Sequence, residues 1–228
     1  MKKISIVTGG ASGLGKELVK GLLEKGMEVC VISRNESKIL KMIKEIHHEI
    51  IYYTGNIADE NFVKHVFEDL TNKKYYVHYL FNCAGVAIFG EPKDMNLEKI
   101  QQSFQSNTVG LMLMTYEACK IMNNGGTIIN IMSTAALKGN ANESVYCASK
   151  WAARGFTEAL QEYYKKSNIH IIGVYPGGMN TPFWTSDCGL NPNVEKFMKP
   201  EEVSKVILDT VMERDTSYTS SITINRIE

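Results

Sequence analysis

Short runs of β-branched and other apolar residues alternate with longer amphipathic segments along the chain. The runs are predicted strands and lie at residues 4–8, 29–33, 50–54, 79–82, 127–132, 169–175 and 221–225. Apolar residues recur at helical spacing between them, which predicts helices at 13–25, 35–47, 59–71, 97–122, 145–166 and 200–213. Parallel strands need crossover connections, and a helix in each crossover covers one face of the sheet. The alternation therefore predicts an α/β fold with a doubly wound, seven-stranded parallel sheet and helices on both faces.

No stretch rich in proline, glycine and serine divides this pattern, so we expect a single domain over residues 1–228. The longest irregular stretch runs over about 176–199 and contains Pro176, Pro182 and Pro192, three of the 5 prolines. Long irregular loops in compact domains often cover binding sites. We therefore predict a lid or substrate loop at about 176–199.

Charge and cysteine content exclude several classes of function. Lys and Arg number 25, Asp and Glu also number 25, and no dense basic run occurs, so neither nucleic acid nor a membrane is an expected partner. The 5 cysteines are scattered without a zinc-binding spacing, so no metal site is predicted. The apolar start is too short for a signal peptide, and no run is long enough to span a bilayer. These features favour a cytoplasmic protein with a small-molecule partner.

A glycine-rich turn follows the first predicted strand. It contains Gly9, Gly13 and Gly15 together with Ser12 and Leu14, and it opens directly into the first predicted helix. Glycines let the backbone approach a pyrophosphate, and the free N–H groups and dipole of a helix N-terminus favour its negative charge. The turn therefore indicates a Rossmann-like dinucleotide site, with a tight turn of purely structural purpose as the alternative.

The end of the second predicted strand bears on which dinucleotide binds. In this fold, the position about 20 residues beyond the glycines faces the adenine ribose, and an acidic side chain there favours NAD. Ser33 and Arg34 occupy that region instead. A hydroxyl and a guanidinium can both donate hydrogen bonds to a 2′-phosphate. We therefore expect NADP(H) to be preferred, with NAD(H) as the alternative if Arg34 is only a solvated surface residue.

Three further residues form a candidate catalytic set. Tyr146 and Lys150 are about one helical turn apart in the helix predicted at 145–166, so their side chains share a face. An ammonium near a phenol stabilises the phenolate, which prepares the hydroxyl to exchange a proton with a carbonyl or alcohol oxygen. Ser133 follows a predicted strand, at the edge of the sheet where ligands bind in open α/β folds. No Gly-x-Ser-x-Gly elbow surrounds Ser133, which disfavours a hydrolase.

These features occur together in one family. The motifs Thr8-Gly9-x-x-x-Gly13-x-Gly15, Asn82-Cys83-Ala84-Gly85, Tyr146-x-x-x-Lys150 and Pro176-Gly177-x-x-x-Thr181, with Asn107 and Ser133, resemble the short-chain dehydrogenase/reductase family in its compact single-domain branch. The resemblance implies that Tyr146 is the acid/base, while Lys150 lowers its pKa and holds the nicotinamide ribose. It also implies that Ser133 orients the carbonyl and that Asn107 anchors a water linking Lys150 to solvent.

The resemblance further implies a set of contacts with the cofactor. The glycine turn would hold the pyrophosphate, Asn56 and Ile57 would flank the adenine, and Thr181 would approach the nicotinamide carboxamide. The predicted cofactor-binding residues are Gly9, Ser12, Gly13, Leu14, Gly15, Ser33, Arg34, Asn56, Ile57, Asn82, Ala84, Gly85, Tyr146, Lys150, Pro176, Gly177, Met179 and Thr181. Ser12 stands where many NADP-specific members carry a basic residue, so the preference for NADP(H) depends mainly on Arg34.

Apolar residues near these motifs predict a substrate pocket suited to a hydrophobic ketone or aldehyde. The predicted substrate contacts are Ser133, Tyr146, Val86, Thr134, Phe183 and Trp184. The sequence thus predicts an NAD(P)-dependent oxidoreductase that reduces a ketone or aldehyde or oxidises an alcohol. A 3-oxoacyl reductase acting on an acyl carrier, a sugar-nucleotide epimerase and a regulatory protein that senses nucleotides without catalysis remain as alternatives. The resemblance also implies a homodimer or homotetramer formed through the helices at 97–122 and 145–166.

Overall fold

The computed structural model describes residues 1–122, 125–184, 188–212 and 216–227, which form one parallel sheet flanked by helices. The strands are β1 (Lys2–Thr8), β2 (Val29–Ser33), β3 (Ile51–Thr54), β4 (Tyr75–Asn82), β5 (Gly126–Ile131), β6 (Ile169–Pro176) and β7 (Ser221–Ile224). The helices are α1 (Gly13–Glu24), α2 (Glu36–Ile46), α3 (Glu60–Asn72), α4 (Leu97–Phe104), α5 (Gly110–Lys120), α6 (Ser144–Tyr164) and α7 (Pro200–Val211). The strand order is β3-β2-β1-β4-β5-β6-β7. The predicted Rossmann-like, doubly wound sheet of seven strands is therefore confirmed.

The central strands are apolar on both faces because helices cover both faces of a parallel sheet. Five consecutive residues at the end of β1 are buried, and all six residues of β5 are buried. The edge strands β3 and β7 are only partly buried. This gradient explains why the central strands were easy to predict from β-branched runs and why the last strand gave the weakest signal.

Two apolar layers hold the helices against the sheet. On one face, Leu18 of α1 and Ile207 of α7 pack with Val31 of β2. On the other face, Val66 of α3 and Met114 of α5 pack with residues of β1 and β4. The spacing of apolar residues at every third or fourth position on each helix produces these stripes.

Helix starts follow capping side chains. Asn35, Asp59 and Asn96 each accept a hydrogen bond from a backbone N–H in the first turn of α2, α3 and α4 respectively. Such caps satisfy donors that have no partner within the helix. The predicted helix starts at 35, 59 and 97 accordingly fall within one residue of the observed ones. β4 begins at Tyr75 rather than at residue 79. The predicted start was late because Tyr76 and His78 carry polar groups, although both residues are buried.

The helix predicted at 97–122 is interrupted. A π-helical segment, Gln105–Val109, separates α4 from α5. Within this segment, the Asn107 side chain hydrogen-bonds to both backbone groups of Val86, and the Thr108 hydroxyl donates to the Ser149 carbonyl at 2.9 Å. Apolar spacing does not reveal a π-helical turn, because the residues on either side keep the same buried face. Single π-helical turns are frequent at functional sites.

Parts of two predicted segments lie outside the described residues. These are residues 185–187 of the loop predicted at about 176–199 and residue 213 at the end of the last predicted helix. The described remainder of that loop contains one short 3-10 helix, Val194–Lys196. None of the described helices combines the length and apolar character needed to cross a membrane.

Candidate active site

A cleft of about 1130 Å³ lies across the carboxyl ends of the central strands. β1 pairs with β2 on one side and with β4 on the other, so the strand order reverses at this point. A crevice opens at such a reversal because the two connecting segments leave in opposite directions, and open α/β folds bind their ligands there. The cleft brings together nearly all of the predicted site residues. Those that line it are Gly9, Ser12, Gly13, Leu14, Gly15, Ser33, Arg34, Asn56, Ile57, Ala84, Gly85, Val86, Ser133, Thr134, Tyr146, Lys150, Pro176, Gly177, Met179, Thr181, Phe183 and Trp184.

The glycine turn at the end of β1 is tied to the end of β4. The buried Thr8 hydroxyl oxygen accepts hydrogen bonds from the backbone N–H groups of Cys83 and Ala84, each at 3.1 Å. Gly9 has a φ of +67°, and a Cβ atom there would lie 2.9 Å from the Ala84 Cα. A Cβ on Gly15 would lie 2.4 Å from the Gly9 carbonyl oxygen. Side chains at either position would force the backbone apart.

The same turn fits the pyrophosphate of a dinucleotide. Gly13 has a φ of +51° and a Cβ there would lie 3.2 Å from the Thr181 Cβ, so a side chain would narrow the cleft. Ser12 precedes α1 in an extended conformation, and its hydroxyl makes no capping hydrogen bond. The first N–H groups of α1 are therefore left for a ligand, and the helix dipole favours an anion beside them.

The far end of the cleft carries two basic side chains. Arg34 is exposed and lines the cleft with Ser33, and no carboxylate in the described part of the chain forms an ion pair with it. Lys38, four residues further on in α2, lines the same region. Lys38 was not among the predicted site residues, although its position four residues after Arg34 is a signal that was available.

The predicted adenine-binding residues lie at this end as well. Ile57 is buried and lines the cleft, and Gly110 is needed beside it because a Cβ there would lie 2.5 Å from the Ile57 Cγ1. Asn56 also lines the cleft, but its amide oxygen already accepts a hydrogen bond from the Ala58 N–H at 3.1 Å. Any contact of that oxygen with adenine would therefore be its second hydrogen bond.

The catalytic set converges near the middle of the cleft. Tyr146 and Lys150 lie on α6 and are 6 % and 4 % exposed, while Ser133 follows β5. The Lys150 ammonium lies 5.8 Å from the centroid of the Tyr146 ring and donates to the Ile131 carbonyl at 3.2 Å. The Ser133 hydroxyl oxygen accepts from the Ala135 N–H at 3.1 Å, and the Ser133 side chain is close enough to lower the pKa of Tyr146. The residues that sequence spacing predicted to meet therefore do meet.

Burial dominates the electrostatics of this set. It raises the pKa of Tyr146, while the hydrogen bond with Ser133 lowers it and the negative charge of Glu143 raises it further. Burial lowers the pKa of Lys150 to about 8. In the protein without a bound cofactor, the side chain that lowers the pKa of Tyr146 is Ser133. The sequence-based expectation gave that part to Lys150. An ammonium near its pKa at neutral pH is nonetheless suited to passing a proton.

Two predicted site residues, Asn82 and Asn107, do not line the cleft. The Asn82 amide donates to Thr115 at 3.0 Å and to Asn130 at 2.9 Å, so it ties β4 to β5 and α5. The Asn107 amide nitrogen donates to the Val86 carbonyl at 3.1 Å and to the Ser149 hydroxyl at 3.0 Å. Both side chains therefore support the walls of the cleft rather than line it.

Ser149 is a second residue that the sequence analysis missed. It is fully buried, and its hydroxyl donates to the Tyr146 carbonyl at 2.8 Å while accepting from Asn107. It thus connects the π-helical segment to the turn of α6 that carries Tyr146 and Lys150. Its place directly before Lys150 in the sequence is the signal that could have marked it as a site residue.

Aromatic rings surround the Tyr146 side chain. Phe89 and Phe183 contact its ring edge-on, with centroids at 5.1 and 5.9 Å. Trp184 stacks on Phe89 at 5.4 Å and donates its indole N–H to the Met179 carbonyl at 3.0 Å. This part of the cleft is therefore apolar and rigid, which limits the water around the Tyr146 hydroxyl.

The match to a family model settles the family. The model described as short chain dehydrogenase matches residues 3–188. The chain belongs to the short-chain dehydrogenase/reductase family. As a short-chain dehydrogenase, it is an oxidoreductase that acts on carbonyl or hydroxyl groups, in a family that uses NAD or NADP.

Relatives of this short-chain dehydrogenase include carbonyl reductase family member 4 of Xenopus laevis, which is 33% identical over 91% of this chain and 90% of its own. The 3-oxoacyl-[acyl-carrier-protein] reductase of Homo sapiens is 31% identical over 79% of this chain and 77% of its own.

Solved structures agree with the fold. A short-chain dehydrogenase/reductase from Vibrio parahaemolyticus has a TM-score of 0.87 and 31% identity, and the match covers 98% of this chain and 100% of that chain. An alcohol dehydrogenase from Thermococcus sibiricus, solved with 5-hydroxy-NADP, has a TM-score of 0.87 at 17% identity and 99% coverage of both chains.

Proposed function

We propose that this enzyme uses NADPH to reduce a hydrophobic ketone or aldehyde, with Tyr146 as the general acid. The observation that carries the proposal is that Tyr146, Lys150 and Ser133 converge in the same cleft as the glycine turn. A phenol, an ammonium and a hydroxyl around one apolar space suit the protonation of a carbonyl oxygen. When bound, the nicotinamide cofactor would supply the hydride.

Each catalytic side chain has a separate part in this proposal. Ser133 donates a hydrogen bond to the substrate carbonyl oxygen and holds it beside Tyr146. Tyr146 transfers its phenolic proton to that oxygen as negative charge develops. Lys150 is cationic at neutral pH, so it stabilises the phenolate that remains, and it would hold the nicotinamide ribose. In the reverse direction, Tyr146 accepts the alcohol proton.

Asn107 contributes by positioning in this proposal. Its amide oxygen and nitrogen both bond to the backbone of Val86, and the nitrogen also reaches Ser149, so the side chain is already engaged. The predicted water between Lys150 and solvent would therefore bind to the main-chain carbonyl of Asn107. The π-helical segment around Asn107 supports this reading because it displaces the regular backbone hydrogen bonds of that turn.

The proposed preference for NADP(H) rests on Arg34 and Lys38. Two cations without a competing carboxylate can bind a 2′-phosphate, which the NAD ribose lacks. We expect Arg34→Ala to weaken NADPH binding at least about tenfold, the loss of one charge-assisted contact, with little effect on NADH. Titration of each nucleotide by protein fluorescence measures both affinities.

Lys41→Ala is the matched control for Arg34→Ala, because Lys41 is also exposed on α2 but does not line the cleft. It should leave both affinities unchanged. Equal losses of NADPH and NADH affinity in Arg34→Ala would show that Arg34 does not read the phosphate.

A 3-oxoacyl substrate on an acyl carrier is a second candidate, and the human relative named above favours it. An acidic carrier protein needs free cations at the mouth of the cleft. Of the basic residues considered for that contact, Lys120 and Arg154 do not line the cleft, and they pair with Glu117 at 2.6 Å and Glu158 at 2.7 Å. Among the described residues, the exposed cations that line the cleft besides Arg34 and Lys38 are Lys138 and Arg226. Two cations are few for an acidic protein surface, so we favour a free carbonyl compound.

We also propose that the protein is a homo-oligomer. Of the apolar residues on these two helices, Leu111, Met114 and Ala118 are buried within the protomer. Trp151 of α6 and Tyr116 of α5 are 45 % and 54 % exposed. The exposed pair supports the expected contact through α5 and α6.

The test is turnover of NADPH with a panel of ketones and aldehydes. The loss of the reduced nicotinamide absorbance measures the rate, and the alcohol product is then identified. We expect aryl and alkyl ketones to be reduced and carrier-linked 3-oxoacyl groups to react more slowly than the corresponding free thioesters. A protein that binds NADPH but reduces none of the carbonyls would be a nucleotide sensor, and the proposal would be wrong.

A further inference from the structure

A carboxylate lies beside the candidate acid. Glu143 immediately precedes α6, three residues before Tyr146, and it is half-buried and lines the cleft. Side chains three residues apart at a helix start are about 5–6 Å apart at Cβ. Its negative charge is close enough to raise the pKa of Tyr146, in addition to the larger effect of burial. A charge placed there disfavours the phenolate, so the mechanism proposed above does not account for it.

A structural role does not account for Glu143 either. It occupies the N-cap position of α6, yet its side chain makes no capping hydrogen bond. Its Oε2 atom accepts a hydrogen bond from the Asn140 amide at 3.0 Å. None of the ion pairs within the described ranges involves Glu143. The carboxylate is thus oriented by a neighbour in the same cleft and lacks a cationic partner there.

Aromatic rings line the same cleft as the carboxylate. Phe89, Phe183 and Trp184 line the same cleft, and two of them contact the Tyr146 ring. Aromatic faces attract cations, and they also pack against apolar groups. A carboxylate and aromatic rings together favour an ammonium group more than a neutral or anionic one.

We propose that Glu143 selects carbonyl substrates with an ammonium group on the α- or β-carbon next to the carbonyl. The ammonium donates to Glu143 while the carbonyl oxygen meets Tyr146 and Ser133, and the apolar remainder packs against Phe89, Phe183 and Trp184. This inference rests on the proposed carbonyl reduction and names the class of substrate for the same site.

Lys138 and Arg226 are exposed cations that line the cleft, so a substrate carboxylate would have cations available there. Such a substrate would also meet the negative charge of Glu143 close to the reacting carbonyl. Glu143 is half-buried, so water screens its charge less than it screens the two exposed cations. Lys150 is a cation too, but its ammonium donates to the Ile131 carbonyl and has its proposed part in stabilising the Tyr146 phenolate.

The test compares three aryl ketones that differ only at the α-position, which carries an ammonium, a methyl or a carboxylate group. The kcat/KM of each is measured with NADPH for the wild type, Glu143→Gln and Lys138→Met. We expect the wild type to prefer the ammonium ketone over the methyl ketone by at least about tenfold, and Glu143→Gln to lose most of that ratio, as for a charge-assisted hydrogen bond. Lys138→Met should keep the ratio.

The ratio separates specificity from catalysis. Any effect of Glu143→Gln on Tyr146 changes the kcat/KM of the ammonium and methyl ketones by the same factor and cancels in their ratio. Only an interaction with the ammonium alters that ratio. A wild type without the preference, a preference for the carboxylate ketone, or an unchanged ratio in Glu143→Gln would overturn the inference while leaving carbonyl reduction intact. If none of the ketones were reduced, the proposed function itself would fail and this inference with it.

Discussion

Lys150 shows how a functional residue can reduce the stability of the fold that carries it. Its ammonium is buried and, within the described residues, donates to the Ile131 carbonyl as its hydrogen-bond partner. Burial lowers its pKa from the ordinary 10.5 to about 8, which corresponds to about 3 kcal/mol of unfavourable free energy for folding with the charge in place. That cost is tolerated because the proposed proton transfer needs a cation beside Tyr146.

We therefore expect Lys150→Met to abolish reduction while raising the free energy of unfolding at pH 7 by about 1–3 kcal/mol, since methionine has a similar shape and no charge to bury. Urea denaturation of the two proteins measures the difference. Lys3→Met, at an exposed position of β1, is the control and should change stability by less than about 0.5 kcal/mol.

The pH dependence of this difference has a definite sign. Folded Lys150 loses its proton near pH 8, but the unfolded lysine keeps its proton until about 10.5. The cost of burying the charge is therefore complete below pH 8 and disappears as the pH rises from 8 to 10.5. The advantage of Lys150→Met should shrink over that range, and an advantage that stayed constant would contradict the assignment of a buried ammonium.

At the scale of single residues, the sequence predicted which side chains gather but not all of their orientations. The four-residue spacing of Tyr146 and Lys150 was enough to place both in the cleft. The orientations of Asn82 and Asn107 depend on partners as distant in sequence as Asn130 and Ser149. No local pattern carries such information, so Asn82 was counted among the cofactor contacts and Asn107 was assigned to a water.

At the scale of elements, the turn between β1 and α1 is the part with the least tolerance for change. A Cβ on Gly15 would lie 2.4 Å from the Gly9 carbonyl oxygen, so Gly15→Ala must displace the turn. We expect Gly15→Ala to weaken NADPH binding at least about tenfold and to destabilise the fold by about 1–3 kcal/mol, as for an overpacked site. Nucleotide titration and urea denaturation measure the two effects.

Gly155 of α6 is the matched control, since a Cβ there would meet nothing within 4 Å. Gly155→Ala should stabilise the protein by about 0.5–1 kcal/mol, as expected for alanine in an exposed helix. If Gly15→Ala behaved like Gly155→Ala, the turn would not have the close approach described here.

The elements differ in how well their sequences predict them. Strands and capped helices are governed by local signals such as β-branched runs and the Asn35, Asp59 and Asn96 caps, and their predicted positions are close to the observed ones. The π-helical segment Gln105–Val109 depends instead on contacts of Asn107 and Thr108 with distant residues. The periodicity of 97–122 therefore predicted one helix where two are present.

At the scale of the whole molecule, the alternation of strands and helices was sufficient to predict the sheet and the cleft. It was not sufficient for the proposed assembly, because the same apolar residues suit a core or a contact between protomers. Trp151 and Tyr116 are exposed in the protomer, which favours a contact between protomers over a place in the core for these two residues. Tyr116 also packs edge-on against Phe156 at 5.5 Å, which makes α5 and α6 one continuous surface.

We expect the protein to be oligomeric in solution and Trp151→Glu to dissociate it, because a contact symmetric about a twofold axis would bury the new charge twice. Light scattering after gel filtration measures the mass. Leu40→Glu, at an exposed position of α2, is the control and should leave the mass unchanged. A wild type with the mass of one chain would contradict the proposed oligomer.

The central claim is that the Tyr146 hydroxyl supplies the proton in a cleft that three separate elements build around it. Tyr146→Phe tests it most directly, because the ring and its contacts with Phe89 and Phe183 remain and only the hydroxyl is lost. We predict that kcat for carbonyl reduction falls by about 100- to 10 000-fold, the usual contribution of a general acid, while the Kd for NADPH changes by less than about threefold. Near-normal reduction by Tyr146→Phe would contradict the account.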